Sequence, residues 1–163
     1  MTDEIWKNVI CSIQRCKDIE TVMFAGMGEP LTHRNIFNMV KDVSALNISP
    51  HLLTNGTMLD RACTDKLLEC GLDMLWISID GFSKEGYERI QIGSRYDLIH
   101  NNLKYFSSCK GKCKLGITFV VMRENQDELR KINSFADMVG ADEINLSYAI
   151  PSQPTKAEDA LYD

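Results

Sequence analysis

The chain has no long apolar run and no concentration of positive charge. Nothing approaches the roughly 20 consecutive apolar residues that a membrane helix needs. The start, Met1-Thr2-Asp3-Glu4, has neither the basic residues nor the apolar continuation of a secretory signal. No membrane partner is expected, and the chain reads as cytoplasmic. Lys and Arg total 18 against 23 Asp and Glu, for a net charge of -5 with no basic cluster, so binding driven by nucleic-acid phosphates is disfavoured. The histidines His33, His51 and His100 are not spaced as a metal set. Cys11 and Cys16, and Cys63 and Cys70, likewise lack a strong metal-ligand spacing. A chain of 163 residues with so much regular pattern does not depend on disulfides, and the cysteines read as reduced thiols. Cys109-Lys-Gly-Lys-Cys113 is the best local candidate for a clip, but it sits in a loop with no further ligand nearby.

What is present is an ordinary globular composition, 44% hydrophobic and 25% charged, at a length that suits one domain. Ile5, Trp6, Val9, Ile10 and Ile13 recur at helical spacing, and Thr21 to Phe24 reads as a buried strand. The alternation then continues. Helices are expected over 36–46, 59–70 and 97–106, with a short helical piece at 85–90, and strands over 51–54, 74–79, 115–121 and 143–148. Gly71 and Gly140 are placed to end helices, and Asn125 followed by Glu128 resembles a capping pair for a helix through Met138. Such alternation implies an α/β fold with a parallel sheet and right-handed crossovers.

In parallel folds ligands gather at the strand C-termini. Gly26-Met-Gly-Glu-Pro30, Thr54-Asn-Gly56, Ser78-Ile-Asp80 and Arg123-Glu-Asn125 all follow predicted strands. In the first, two glycines let a ligand approach the main chain closely, while Pro30 fixes the exit. These residues form the candidate site.

In this order and spacing, Phe24-Ala-Gly-Met-Gly-Glu-Pro-Leu31, Leu53-Thr-Asn-Gly-Thr57, Trp76-Ile-Ser-Ile-Asp-Gly81, Val121-Met-Arg-Glu-Asn125 and Gly140-Ala-Asp-Glu-Ile-Asn145 resemble the radical S-adenosylmethionine (SAM) superfamily. Within it the chain is most similar to the branch that modifies peptides or matures cofactors, such as the tungsten-oxidoreductase cofactor maturases, often with an auxiliary-cluster domain. The resemblance implies a partial parallel (β/α)6 TIM-like barrel, with strands two to six present and strand one missing. Residues 1–150 would form this barrel, and 151–163 a linker or the start of a further region.

The resemblance also implies SAM as cofactor, together with a four-iron four-sulfur (4Fe-4S) cluster held by a Cys-x3-Cys-x2-Cys loop. That motif does not occur in these 163 residues, so the cluster ligands are expected elsewhere in the full-length protein, and the isolated chain is not expected to cleave SAM. A peptide or cofactor-precursor substrate and an electron donor such as a ferredoxin or flavodoxin are the implied partners.

By the same resemblance, Gly26, Met27, Gly28, Glu29 and Pro30 form the turn that meets the SAM amino group, with Glu29 either supporting the turn or holding the ammonium. Ser78 reaches the SAM carboxylate, and Asp80 either joins it or caps a turn with Gly81. Asn55 either lies near the ribose or substrate or is simply a turn residue. Gln91 stands where relatives often carry arginine, so Arg89 or Arg95 is the candidate replacement in the carboxylate clamp. Asn125 is read as a helix cap and Trp76 as core. Two other functions compete: a non-catalytic SAM- or nucleotide-binding module that has lost the cluster loop, and a barrel-type lyase or hydrolase using Glu29 and Asp80 as acid and base.

Overall fold

The computed structural model describes residues 1–93 and 95–148. In chain order the elements are α1 (Asp3–Arg15), β1 (Thr21–Phe24), α2 (Ile36–Ser44), β2 (Ser49–Thr54), α3 (Arg61–Glu69), β3 (Met74–Ser78), α4 (Lys84–Ile90), α5 (Tyr96–Cys109), β4 (Lys114–Val121), α6 (Ile132–Val139) and β5 (Glu143–Tyr148). Two 3₁₀ segments, Pro30–Thr32 and Gln126–Lys131, precede α2 and α6. The strands form one sheet in the order β1-β2-β3-β4-β5, every neighbouring pair parallel. This is the parallel α/β sheet expected from the alternation, and its five strands are those of the partial barrel that the resemblance implies. The predicted 151–163 linker lies outside the described residues.

Strand side chains alternate between two faces. One face carries Leu52, Leu75, Ile77, Leu115, Ile117 and Phe119, all fully buried in the main core with residues of the helices. The opposite face carries Leu53, Trp76, Ser78, Thr118 and Val120, each only half-buried. Trp76 therefore lies on the open face rather than in the helix-side core. Its ring crosses β4 at Gly116, where a Cβ would stand 2.3 Å from Trp76 Cε3, so only glycine lets the indole lie there.

The helix ends follow from local chemistry. The Asp60 side chain accepts from Cys63 N at the start of α3. Gly140 ends α6 in the left-handed conformation, as its placement predicts. The expected helix from Asn125 through Met138 is broken into 3₁₀ and α pieces, and Asn125 makes no side-chain capping bond. No helix of the described residues is long and apolar enough to cross a membrane.

Candidate functional site

Because all five strands are parallel, their C-terminal ends share one rim. The β1 exit turn crosses to β2 there, and a cleft of about 240 Å³ opens between Gly26, Met27, Gly28, Glu29 and Pro30 on one side and Leu53, Thr54, Asn55 and Ser78 on the other. The fold thus brings every predicted site residue except Asp80 to one cleft.

Glu29 fixes the turn. Its Oε1 accepts from Leu31 N (3.1 Å) and Thr54 Oγ1 (2.7 Å), and its Oε2 accepts from Asn55 N (2.9 Å). Thr54 Oγ1 in turn accepts from Gly56 N at 3.1 Å. One carboxylate thereby caps the 3₁₀ segment and ties the β1 exit to the β2 exit. Supporting the turn, one of the two roles expected of Glu29, is visible in these bonds.

At Gly26 and Gly28 an added Cβ would meet nothing within 4 Å. These glycines are therefore not demanded by packing inside the chain. Their missing side chains leave main-chain groups facing open space, as a bound ligand requires. Met27 is fully exposed at the tip of the turn. Asn55 Oδ1 accepts from Thr57 N (2.9 Å) and Thr57 Oγ1 (2.6 Å), so the residue forms a turn while also lining the cleft.

Asp80 lies outside the cleft lining. Its Oδ2 accepts from Gln91 Nε2 at 2.5 Å, and its main-chain carbonyl accepts from Asn125 Nδ2 at 3.2 Å. An acid-base pair of Glu29 and Asp80 is not gathered in one cleft, which removes the geometric basis for the lyase or hydrolase reading. The arginine substitution also fails. Arg89 donates to the Glu124 carbonyl and to Asp127, whereas Arg95 lines a separate hollow with Lys84 and Asp97.

The reading of Asn125 and Glu128 as a capping pair is corrected as well. Asn125 is fully buried; its Oδ1 accepts from Met122 N (2.7 Å), and its Nδ2 donates to the Val120 and Asp80 carbonyls. Glu128, 2% exposed, accepts from Phe82 N and Ser83 N, each at 2.8 Å, and from Ser83 Oγ. Burial works to raise its pKa, but the hydrogen bonds from Lys131, Ser83 and the two amides hold the carboxyl below its usual range. The only signal in the sequence was their spacing, which is equally that of a local cap.

No group of three or more His, Cys, Asp or Glu that could hold a metal occurs among the described residues. The exposed Cys11 and Cys16 belong to α1 and its end, away from the rim. Burial pushes the Cys63 thiol up to about 11 and the Cys113 thiol up to about 12, against the thiolate a metal needs. Among the described residues no such group is gathered for a 4Fe-4S cluster, whereas the open glycine turn and Ser78 fit the polar end of a small amino-acid ligand. The cleft, about 240 Å³, is smaller than the roughly 300–1,000 Å³ of pockets that enclose drug-sized ligands.

The profile of the Radical SAM superfamily matches residues 7–136. The chain is 24% identical over 168 residues to the tungsten-containing aldehyde ferredoxin oxidoreductase cofactor-modifying protein of Pyrococcus furiosus, covering 100% of this chain and 47% of that protein. It is 31% identical over 137 residues to the pre-heme d1 synthase of Dinoroseobacter shibae, covering 82% and 33% respectively. The chain thus spans half or less of the length of these relatives. Among solved structures it superposes on native anSMEcpe with bound AdoMet at a TM-score of 0.77 (19% identity, 99% of this chain and 47% of that one). For Streptococcus suis SuiB bound to S-adenosylmethionine the TM-score is 0.74 (18% identity, 90% and 35%).

Proposed function

Because the chain belongs to the radical SAM superfamily, we propose that its strand-end cleft binds the methionyl end of SAM as part of an enzyme that modifies peptides or matures cofactors. The observation that carries this reading is the main chain at Gly26 and Gly28, held in place by Glu29 and open toward Ser78. SAM held there, beside a 4Fe-4S cluster, would supply the radical chemistry that takes hydrogen from a substrate. The residues of this chain orient the ligand: the turn meets its amino group, Ser78 its carboxylate, and Asn55 the ribose side. A ferredoxin- or flavodoxin-type protein is the proposed electron donor; the cofactor-maturing role is supported by similarity to the Pyrococcus furiosus cofactor-modifying protein, and the peptide-modifying one by likeness to SuiB, also solved bound to the precursor peptide SuiA.

The described residues hold no metal group, so this chain alone is expected to bind SAM without cleaving it. Calorimetric titration with SAM tests the assignment. Gly28→Val places a branched side chain in the open space and is expected to abolish the heat of binding. Unchanged affinity in that variant would sink the cleft assignment.

A further inference from the structure

The loops that leave β3 and β4 are joined by buried side chains that the cleft does not include. Glu128 comes from the second loop and receives three donors from the first: Phe82 N, Ser83 N and Ser83 Oγ. Lys131 Nζ closes the group, 2.7 Å from Glu128 Oε1 and 3.0 Å from Ser83 Oγ. An ionised carboxylate at 2% exposure is tolerated only because its oxygens are satisfied in this way.

Two details show that the arrangement is specific. A Cβ on Gly86 would stand 2.3 Å from Glu128 Cδ, so α4 carries glycine where the carboxylate must pass. Asn125 uses both amide hydrogens and its oxygen on three main-chain partners, which leaves its side chain no freedom. Both residues are withdrawn from local capping to make ties to positions 45 and 46 residues away in sequence.

We propose that Glu128 and Asn125 are positioning residues for the cleft: by fixing the loop 79–83 from beneath, they set where Ser78 presents its hydroxyl to the carboxylate of SAM. This rests on the SAM reading above. Neither residue touches the ligand. Asn125 acts through the Asp80 carbonyl, two residues beyond Ser78, and Glu128 acts through the amides of Phe82 and Ser83. Gln91, bonded to the Asp80 side chain, completes the fixation from α4.

The test is calorimetric titration of the chain with SAM and with decarboxylated SAM, which lacks only the carboxylate. The unaltered chain is expected to prefer SAM. In Glu128→Gln and Asn125→Ala that preference should fall by roughly tenfold, the worth of one hydrogen bond to a charged group, while the affinity for the decarboxylated ligand stays nearly constant. Ser83→Ala removes one hydroxyl and is expected to shift the preference the same way by less; it decides the matter if the buried substitutions fail to fold by circular dichroism. Equal losses for both ligands, or an unchanged preference, would assign the network a purely structural role and overturn the proposal. If the unaltered chain binds the two ligands equally, there is no carboxylate recognition to position and the proposal falls alone. Binding of neither overturns the SAM reading itself.

Discussion

Removing the Glu29 carboxylate should loosen both strand exits at once, and the size of the effect can be worked from its partners. In Glu29→Ala the Thr54 hydroxyl, on a residue 1% exposed, loses its acceptor; a buried group left in that state costs about 1–3 kcal/mol. Loss of the cap to Leu31 N adds about 1 kcal/mol. The Asn55 amide lies at an exposed position and regains water, so it adds about 0.5 kcal/mol or less. The three bonds share one carboxylate and do not sum independently. The expected total is therefore about 2–4 kcal/mol. For a chain of this size each kcal/mol lowers Tm by about 2–4 °C, so a fall of about 5–15 °C is expected.

Urea denaturation followed by circular dichroism, with a thermal melt alongside, reads this directly. Glu29→Gln separates support from ligand contact: it keeps one carbonyl acceptor but turns an N–H toward the Asn55 amide, so its stability should lie between the other two. If Glu29 also holds the SAM ammonium, Glu29→Gln will lose affinity at temperatures where it is fully folded. A Glu29→Ala chain destabilised by less than about 0.5 kcal/mol would refute the view that this carboxylate holds the exits together, since the buried Thr54 hydroxyl left without its acceptor alone exceeds that.

Two further outcomes are expected. The folded-state pKa of Glu128 is depressed, so its contribution to stability is present above the unfolded value of about 4.3 and is lost as the pH falls through that value toward the folded one. Asp142, whose pKa is also lowered and which accepts from Lys110 and from Leu115 N, adds to the same acid limb. Urea midpoints measured between neutrality and acid should therefore drop in that window, and Glu128→Gln should flatten the drop; an identical slope would show that Glu128 titrates alike in both states. Gly116→Ala should push the Trp76 indole off β4, at about 1–3 kcal/mol for an overpacked contact. The check is tryptophan emission, which should move to longer wavelength as the ring becomes wetter; an unchanged spectrum and stability would show that the ring does not need the glycine.

The succession of strands and helices and the rim were legible because periodicity is a short-range signal, and each strand ends at a polar turn written locally in the sequence. β2 begins earlier than expected. Ser49 and Pro50 look like strand breakers, yet Pro50 needs only its carbonyl there, which accepts from Asp73 N. The helix expected from Asn125 to Met138 misled for the opposite reason. The spacing of Asn125 and Glu128 is a local capping signal, but the loop after β3 offers their side chains main-chain partners, and burial makes those bonds stronger than a cap exposed to water. A pattern three residues long carries no information about a partner more than 40 residues away. The arginine expected near the carboxylate clamp was misplaced for a related reason: Arg89 has the right charge and segment, but the Glu124 carbonyl and Asp127 already take its guanidinium.

The two ties share one chemistry. Glu29 accepts a main-chain amide from the neighbouring β2 exit, and Glu128 accepts two from the β3 exit loop, so each carboxylate fastens its own loop to the preceding or following one. A closed barrel holds its rim through continuous strand pairing, whereas this sheet has edges at β1 and β5. Its loops are instead held by side-chain hydrogen bonds within residues 29–128, most of them to main-chain groups and none to a residue of either edge strand. The geometry of the cleft thus depends on ties internal to the chain. It follows that covering the β1 edge with a further segment should stabilise the sheet while leaving the preference for SAM over its decarboxylated form nearly the same, because neither Glu29 nor Glu128 draws a bond from that edge.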